Sequence, residues 1–96
     1  MRGGHIYLMT NKPFGVLYIG VTADLSARVN AHKRGEGSVF CKRWGLDRLV
    51  WMEPHRDIDQ AIKREKQLKR WKRAWKLRMI VEANPNWDDL YLGLNG

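Results

Sequence analysis

The chain has 96 residues, 18 Lys and Arg against 10 Asp and Glu, and a formal net charge of +8. A chain this short buries only about 60% of its unfolded surface, which excludes a deep enclosed ligand chamber and leaves a shallow, open groove as the form a site can take. With 44% hydrophobic and 29% charged residues it is too apolar for a disordered polycation, its apolar runs fall far below the roughly 18 residues that span a bilayer, and its single cysteine, Cys41, excludes a disulfide framework and a cysteine-built zinc site.

The stretch from Met1 to Thr10 has one basic residue and too short an apolar run for a signal segment. We therefore expect one unprocessed domain over residues 1–96, cytoplasmic and off the membrane. His5 to Thr10 reads as a strand, 11–15 as a turn punctuated by Pro13 and Gly15, and Val16 to Thr22 as a second strand rich in β-branched and aromatic residues. A turn centred near Lys12 and Pro13 sets Tyr7 roughly opposite Tyr18. Asp24 caps a helix over Leu25 to Lys33 that Gly35 stops. Gly35 to Gly45 reads as a loop with at most a short helical turn, and Arg48 to Glu53 as a third strand terminated by Pro54. Asp57 caps a long helical stretch that bends or breaks near Arg70 to Arg73 and ends at Asn84-Pro85, because the residue before a proline is driven out of the helical region. The tail, Asn86 to Gly96, reads as turns packed by Trp87, Leu90 and Tyr91. The elements in order are two strands, a helix, a third strand and a long helical stretch, which the expected α+β fold combines.

The charge is local. Lys63 to Arg78 holds nine basic residues and one acid, Glu65, so this window alone is +8 and the other eighty residues are formally neutral. Such a stripe, with almost no acids for i,i+4 pairing, is the footprint of a phosphate-backbone binder. A solvated helical face and an acidic membrane surface met by Trp71 and Trp75 are the rival readings.

Several polar residues stand where core residues belong. Helical spacing from Asp57 predicts a buried stripe of Ile58, Ala61, Ile62, position 65 and Leu68, and position 65 is Glu65. A carboxylate beside the core needs a cationic partner, which is either an Arg or Lys or a divalent ion on a hard oxygen ligand. In the earlier helix Leu25, Arg28, Val29 and His32 share one face, so Arg28 and His32 project to one spot. Each alone reads as a packing residue, and Tyr7 with Tyr18 alone reads as an aromatic cross-strand pair. Two phenols, a guanidinium, an imidazole and a carboxylate together suit phosphodiester hydrolysis, which needs a water nucleophile, a cation at the scissile phosphate and positive charge on the transition state. A phenol serves as a base there only when nearby cations pull its pKa, about 10, down. The chain has no Gly-rich phosphate cradle, zinc quartet or nucleophile elbow. The five tryptophans, 44, 51, 71, 75 and 87, read first as core and joint-packing side chains and second as base-stacking platforms.

These residues resemble the GIY-YIG endonuclease superfamily, in its small single-domain bacterial branch, over nearly the whole chain. His5-Ile6-Tyr7 stands where the first signature tripeptide belongs, Tyr18-Ile19-Gly20 is the second intact, and Asp24 to His32 is similar to the segment carrying an arginine and, four later, a histidine or tyrosine. Arg64 to Trp71 resembles the segment with the metal-binding glutamate, and Asn84-Pro85 the closing motif. Two positions depart: His5 replaces the first signature glycine, and Val21 stands where some members have a lysine beside the second tyrosine, which implies weaker activity.

The resemblance implies a three-stranded antiparallel sheet flanked by helices and hydrolysis of nucleic acid, DNA before RNA, with one divalent ion, Mg2+ or Mn2+, in a DNA repair setting. It implies that Glu65 holds the metal, Arg28 stabilises the phosphate, Tyr18 or Tyr7 positions or deprotonates the water, His32 assists and Asn84 supports. Lys63, Arg64, Lys66, Lys69, Arg70, Lys72 and Arg73 would bind the nucleic-acid backbone. With no room for a site-choosing domain, selectivity for DNA structure or a recruiting protein is the expectation. The alternative is a noncatalytic nucleic-acid binding module that uses the basic helix.

Overall fold

The computed structural model of the chain describes residues 3–95; Met1 and Arg2 of the expected start and Gly96 of the expected tail lie outside the described residues. Three strands, β1 (Gly4–Thr10), β2 (Leu17–Thr22) and β3 (Arg48–His55), form an antiparallel sheet in the order β2-β1-β3. Because successive side chains of a strand point to opposite faces, the central β1 feeds two cores. Ile6 and Leu8 join Ile19, Trp51, Ala61, Leu68 and Ile80 under α3 (Ile58–Arg70) and α4 (Arg73–Ala83). Tyr7 and Met9 join Leu25 and Val29 of α1 (Leu25–Lys33), Cys41 of α2 (Val39–Trp44), Leu46 and Leu49 on the other face. The fold is α+β, as expected, and among the described residues no helix is long and apolar enough to cross a membrane.

The hairpin register differs from the expected one. Thr10 pairs with Leu17, Met9 with Tyr18 and Tyr7 with Gly20, so Tyr18 lies diagonal to Tyr7 rather than opposite it. The connection spans 11–16 and is one residue longer than the composition indicates. Asn11 Oδ1 accepts from the Val16 amide at 3.1 Å, the Gly15 amide donates to the Lys12 carbonyl at 2.9 Å, and Phe14 takes a left-handed φ of 57°.

Strand β3 also overruns its expected end. Pro54 stays in the ladder opposite His5, and the strand continues to His55. An edge strand tolerates this because a missing N–H can face outward. Its pairing shifts between Leu8↔Trp51 and Met9↔Leu49, which leaves Val50 as a bulged residue. The Val50 carbonyl accepts from Asn84 Nδ2 at 3.1 Å.

The helices follow their caps. Asp24 Oδ1 accepts from the Ala27 amide at 3.1 Å and Asp57 Oδ1 from the Asp59 amide at 2.8 Å. The expected break falls at Trp71 and Lys72, both extended. The expected 35–45 loop contains the six-residue α2, begun by Ser38 and closed by Gly45 at φ 66°. The chain finishes as a 3₁₀ turn over Leu90–Asn95. Lys33 pairs with Asp89, whose Oδ1 also accepts from the amides of Leu49 and Tyr91 at 3.3 and 3.0 Å. Burial opposes the Asp89 charge, but Lys33 and these amides hold its carboxyl below the usual carboxylate range.

Candidate active site

Tyr7, Tyr18, Arg28 and His32 meet on the α1 face of the sheet. Tyr7 is fully buried because it sits on the central strand, and His32 is 3% exposed on the inward stripe of α1 with Leu25 and Val29. The Tyr7 hydroxyl lies 2.8 Å from His32 Nε2. The Tyr18 ring stands 6.3 Å from that of Tyr7 and 5.5 Å, edge-on, from that of His32. Arg28 is exposed on the outer side beside both tyrosines, whose phenols raise its already high pKa and keep it charged.

Burial, only partly offset by the hydrogen bond from Arg28, pushes the Tyr7 phenol up to about 12. Burial first and the Arg28 charge second push the His32 imidazolium below its ordinary value. Both shifts favour the neutral pair, in which the Tyr7 hydroxyl donates to His32 Nε2 and His32 carries its proton on Nδ1. That Nδ1 is buried and has no hydrogen-bond partner among the described residues.

Two glycines shape the cluster, and spacing alone did not single them out as shaping residues. A Cβ on Gly20 would lie 2.4 Å from Tyr7 Oη, so the glycine of Tyr18-Ile19-Gly20 makes room for the phenol paired across from it. A Cβ on Gly37 would lie 2.5 Å from His32 Nδ1. The signal for Gly20 was the tripeptide itself; Gly37 lies in a segment whose sequence has no periodicity to read. Phe40 of α2, stacked 6.2 Å from Tyr18, was hidden for the same reason.

Glu65 takes the predicted inward position on α3, its side chain only 13% exposed, between the buried Ala61 and Leu68. It meets Lys69 at 3.5 Å. Lys69 also lines an open cleft of about 380 Å³ with Leu17, Tyr18, Ile19, Phe40 and Lys76, so the carboxylate of α3 connects to the tyrosine cluster around the β2 edge. Among the described residues no group of three or more His, Cys, Asp and Glu could hold a metal ion. A lone, loosely paired carboxylate fits a hard ion that keeps most of its water, as Mg2+ does.

The basic segment divides by task. Lys63, Lys66, Lys69, Arg70 and Lys72 point outward. Arg64 instead donates to Glu53 Oε1 at 3.3 Å and lies 5.4 Å over Trp71. Arg73 donates to the carbonyls of Phe14 and Gly15 at 2.8 and 2.7 Å, clamping the hairpin loop. Asn84 is 5% exposed; its amide donates to the carbonyls of Val50 and Asp88, and its Oδ1 accepts from the Asp88 amide. Its polar atoms bind the bulge and the tail and lie apart from the tyrosine cluster. Trp51 and Trp87 are core residues and Trp71 packs against that core, while Trp44 and Trp75 are exposed.

The sequence profile of the GIY-YIG catalytic domain matches residues 3–78. Among curated proteins, UPF0213 proteins of Staphylococcus aureus strains Mu3 and N315 are each 40% identical over 68 residues, covering 71% of this chain and 83% of theirs. No solved structure matches.

Proposed function

Because the chain belongs to the GIY-YIG family, whose catalytic domain acts as a nuclease, we propose that it is a metal-dependent endonuclease that hydrolyses phosphodiester bonds, of DNA before RNA, by recognising structure rather than sequence. The observation that carries this reading is the hydrogen-bonded Tyr7–His32 pair with Arg28 beside it, and Tyr18 on its open side facing a cleft that also holds Lys69 and Lys76.

Glu65 would hold the ion, Mg2+ or Mn2+, which supplies Lewis-acid charge at the scissile phosphate. Arg28, locked in its charged form, stabilises the negative charge that grows on the phosphorane. Tyr18 orients the attacking water, since it is the phenol that reaches the cleft. Tyr7, buried and with its phenol pushed up to about 12, does not take the proton; it positions Arg28 and His32. His32, neutral and buried edge-on to Tyr18, assists through that phenol rather than at the water or the leaving oxygen itself. Lys63, Lys66, Lys69, Arg70 and Lys72 hold the backbone of the substrate, and Lys69 would be the partner that Glu65 gives up to hold an ion. A recruiting protein would narrow the choice of substrate further.

The test is a cleavage screen on duplex, single-stranded, flap and branched DNA and RNA with Mg2+ or Mn2+, with Glu65→Gln as the control. Metal-dependent cutting that the variant loses while it still binds supports the proposal. Absence of cutting on every substrate, with binding that weakens steeply with salt and ignores Glu65, overturns it in favour of a noncatalytic binding module.

A further inference from the structure

At the other edge of the sheet from Tyr18 lies a second cleft, of about 440 Å³, which this chemistry leaves unused. Trp51 and Glu53 reach it from β3, Arg64 from α3, Trp71 from the helix break, and Trp75 and Arg78 from α4. Its volume falls within the roughly 300–1,000 Å³ of small-molecule sites. Trp71 and Trp75 stand edge to face 6.0 Å apart, and Trp75 is 55% exposed, an unusual amount of bare indole for so small a chain.

Aromatic walls of this kind take either a cation or a flat ring. The cation's place is already filled from within, since the Arg64 guanidinium lies over Trp71 and the Glu53 carboxylate is held by both Arg64 and His55. What remains open is the indole of Trp75 and the guanidinium of Arg78. The Arg78 pair with Glu82 is mostly exposed on both sides and therefore exchanges readily for another anion. A stacking face beside an available guanidinium suits a base together with its phosphate. Half of its lining, Arg64, Trp71, Trp75 and Arg78, comes from the 63–78 segment where the whole net charge resides; the two arginines are matched in the cleft by Glu53 and Glu82, so the pull on a polyanion comes from the basic residues around the cleft.

We propose that this cleft receives one unpaired nucleobase of the bound nucleic acid, stacked on Trp75 with a neighbouring phosphate at Arg78. It rests on the nucleic-acid reading above, though not on catalysis, and it names the substrate class: a duplex with an extruded, bulged or flapped base, because the faces of paired bases are covered by their neighbours.

Binding of the intact chain, with EDTA present to prevent cleavage, is compared on two duplexes identical except for one bulged adenine. The expected result is a preference of about tenfold for the bulged duplex, removed by Trp75→Ala with the paired-duplex affinity unchanged, and largely kept by Trp75→Phe. Equal binding to both duplexes, or a Trp75→Ala loss shared equally by both, overturns the proposal. The indole N–H resonances of Trp71 and Trp75 should move with adenosine monophosphate; movement with tetramethylammonium instead would make the cleft a cation cage and also overturn it. Bulge preference without cleavage on any substrate would remove the enzyme reading and keep this site, and cleavage without bulge preference would do the reverse.

Discussion

Helices α1 and α3 each turn a charged or titratable residue inward, yet they hold it in different ways. On α1, His32 and Arg28 are tied to Tyr7, and His32 is sealed from solvent. On α3, Glu65 has a single ion pair with Lys69 at 3.5 Å, at the loose end of the range. The first arrangement belongs to the fold, and disturbing it disturbs packing. The second is exchangeable on its outer side, because the Lys69 side chain is half exposed and its contact with the inward carboxylate is long, so the lysine can give way to another cation. The proposed function uses both, a fixed cluster and a carboxylate able to change partner.

The strongest way to break this contrast is Glu65→Gln. Cleavage should fall by at least about a hundredfold, while the melting temperature moves by no more than about 4 °C; a larger thermal loss would mean that Glu65 is structural after all. Gly37→Ala should behave in the opposite way, driving a Cβ into His32 at a cost of about 1–3 kcal/mol. It should lower the melting temperature and the cleavage rate together and leave the salt dependence of binding alone. The basic segment can be divided by the same logic. Arg73→Ala, which removes the clamp on Phe14 and Gly15, should destabilise by about 1 kcal/mol. Lys72→Ala should leave stability unchanged and make the log–log salt slope of binding shallower by about one.

The smallest effect is a pH dependence. His32 is held below its ordinary pKa in the fold, so the unfolded chain takes up its proton first as pH falls. The stability it contributes is present above about pH 6.5 and declines as the pH drops below that value. His32→Gln should flatten that part of a stability-versus-pH curve; an unchanged slope would show that the fold does not disfavour the imidazolium and would remove the support for a neutral His32.

The elements whose signals are local were legible. Asp24 and Asp57 cap the helices that start after them, and the break at Trp71 and Lys72 falls where the basic run was expected to bend. The inward stripes of α1 and α3 follow from spacing, because a helix has a period and a side chain cannot leave its face. The register of the hairpin was not legible, since loop length there depends on an Asn11 side chain accepting the Val16 amide and on a left-handed Phe14. Helix α2 was hidden because its six residues expose Val39, Phe40 and Trp44 and present no apolar stripe. Pro54 misled because its effect depends on strand position, and only the sheet order makes β3 an edge.

Residue types and periodicities by themselves marked Tyr7, Tyr18, Arg28, His32 and Glu65 as candidates that could converge, and confined the charge to residues 63–78. Tertiary structure decided their division of labour. It buried Tyr7 and raised its phenol while leaving Tyr18 at the cleft, gave Arg64 and Arg73 to the scaffold, and set Gly20 and Gly37 against the rings of Tyr7 and His32. The reason is physical: charge and hydrogen-bonding capacity belong to a residue, but desolvation, partnership and clearance belong to whatever the fold brings within a few ångströms of it.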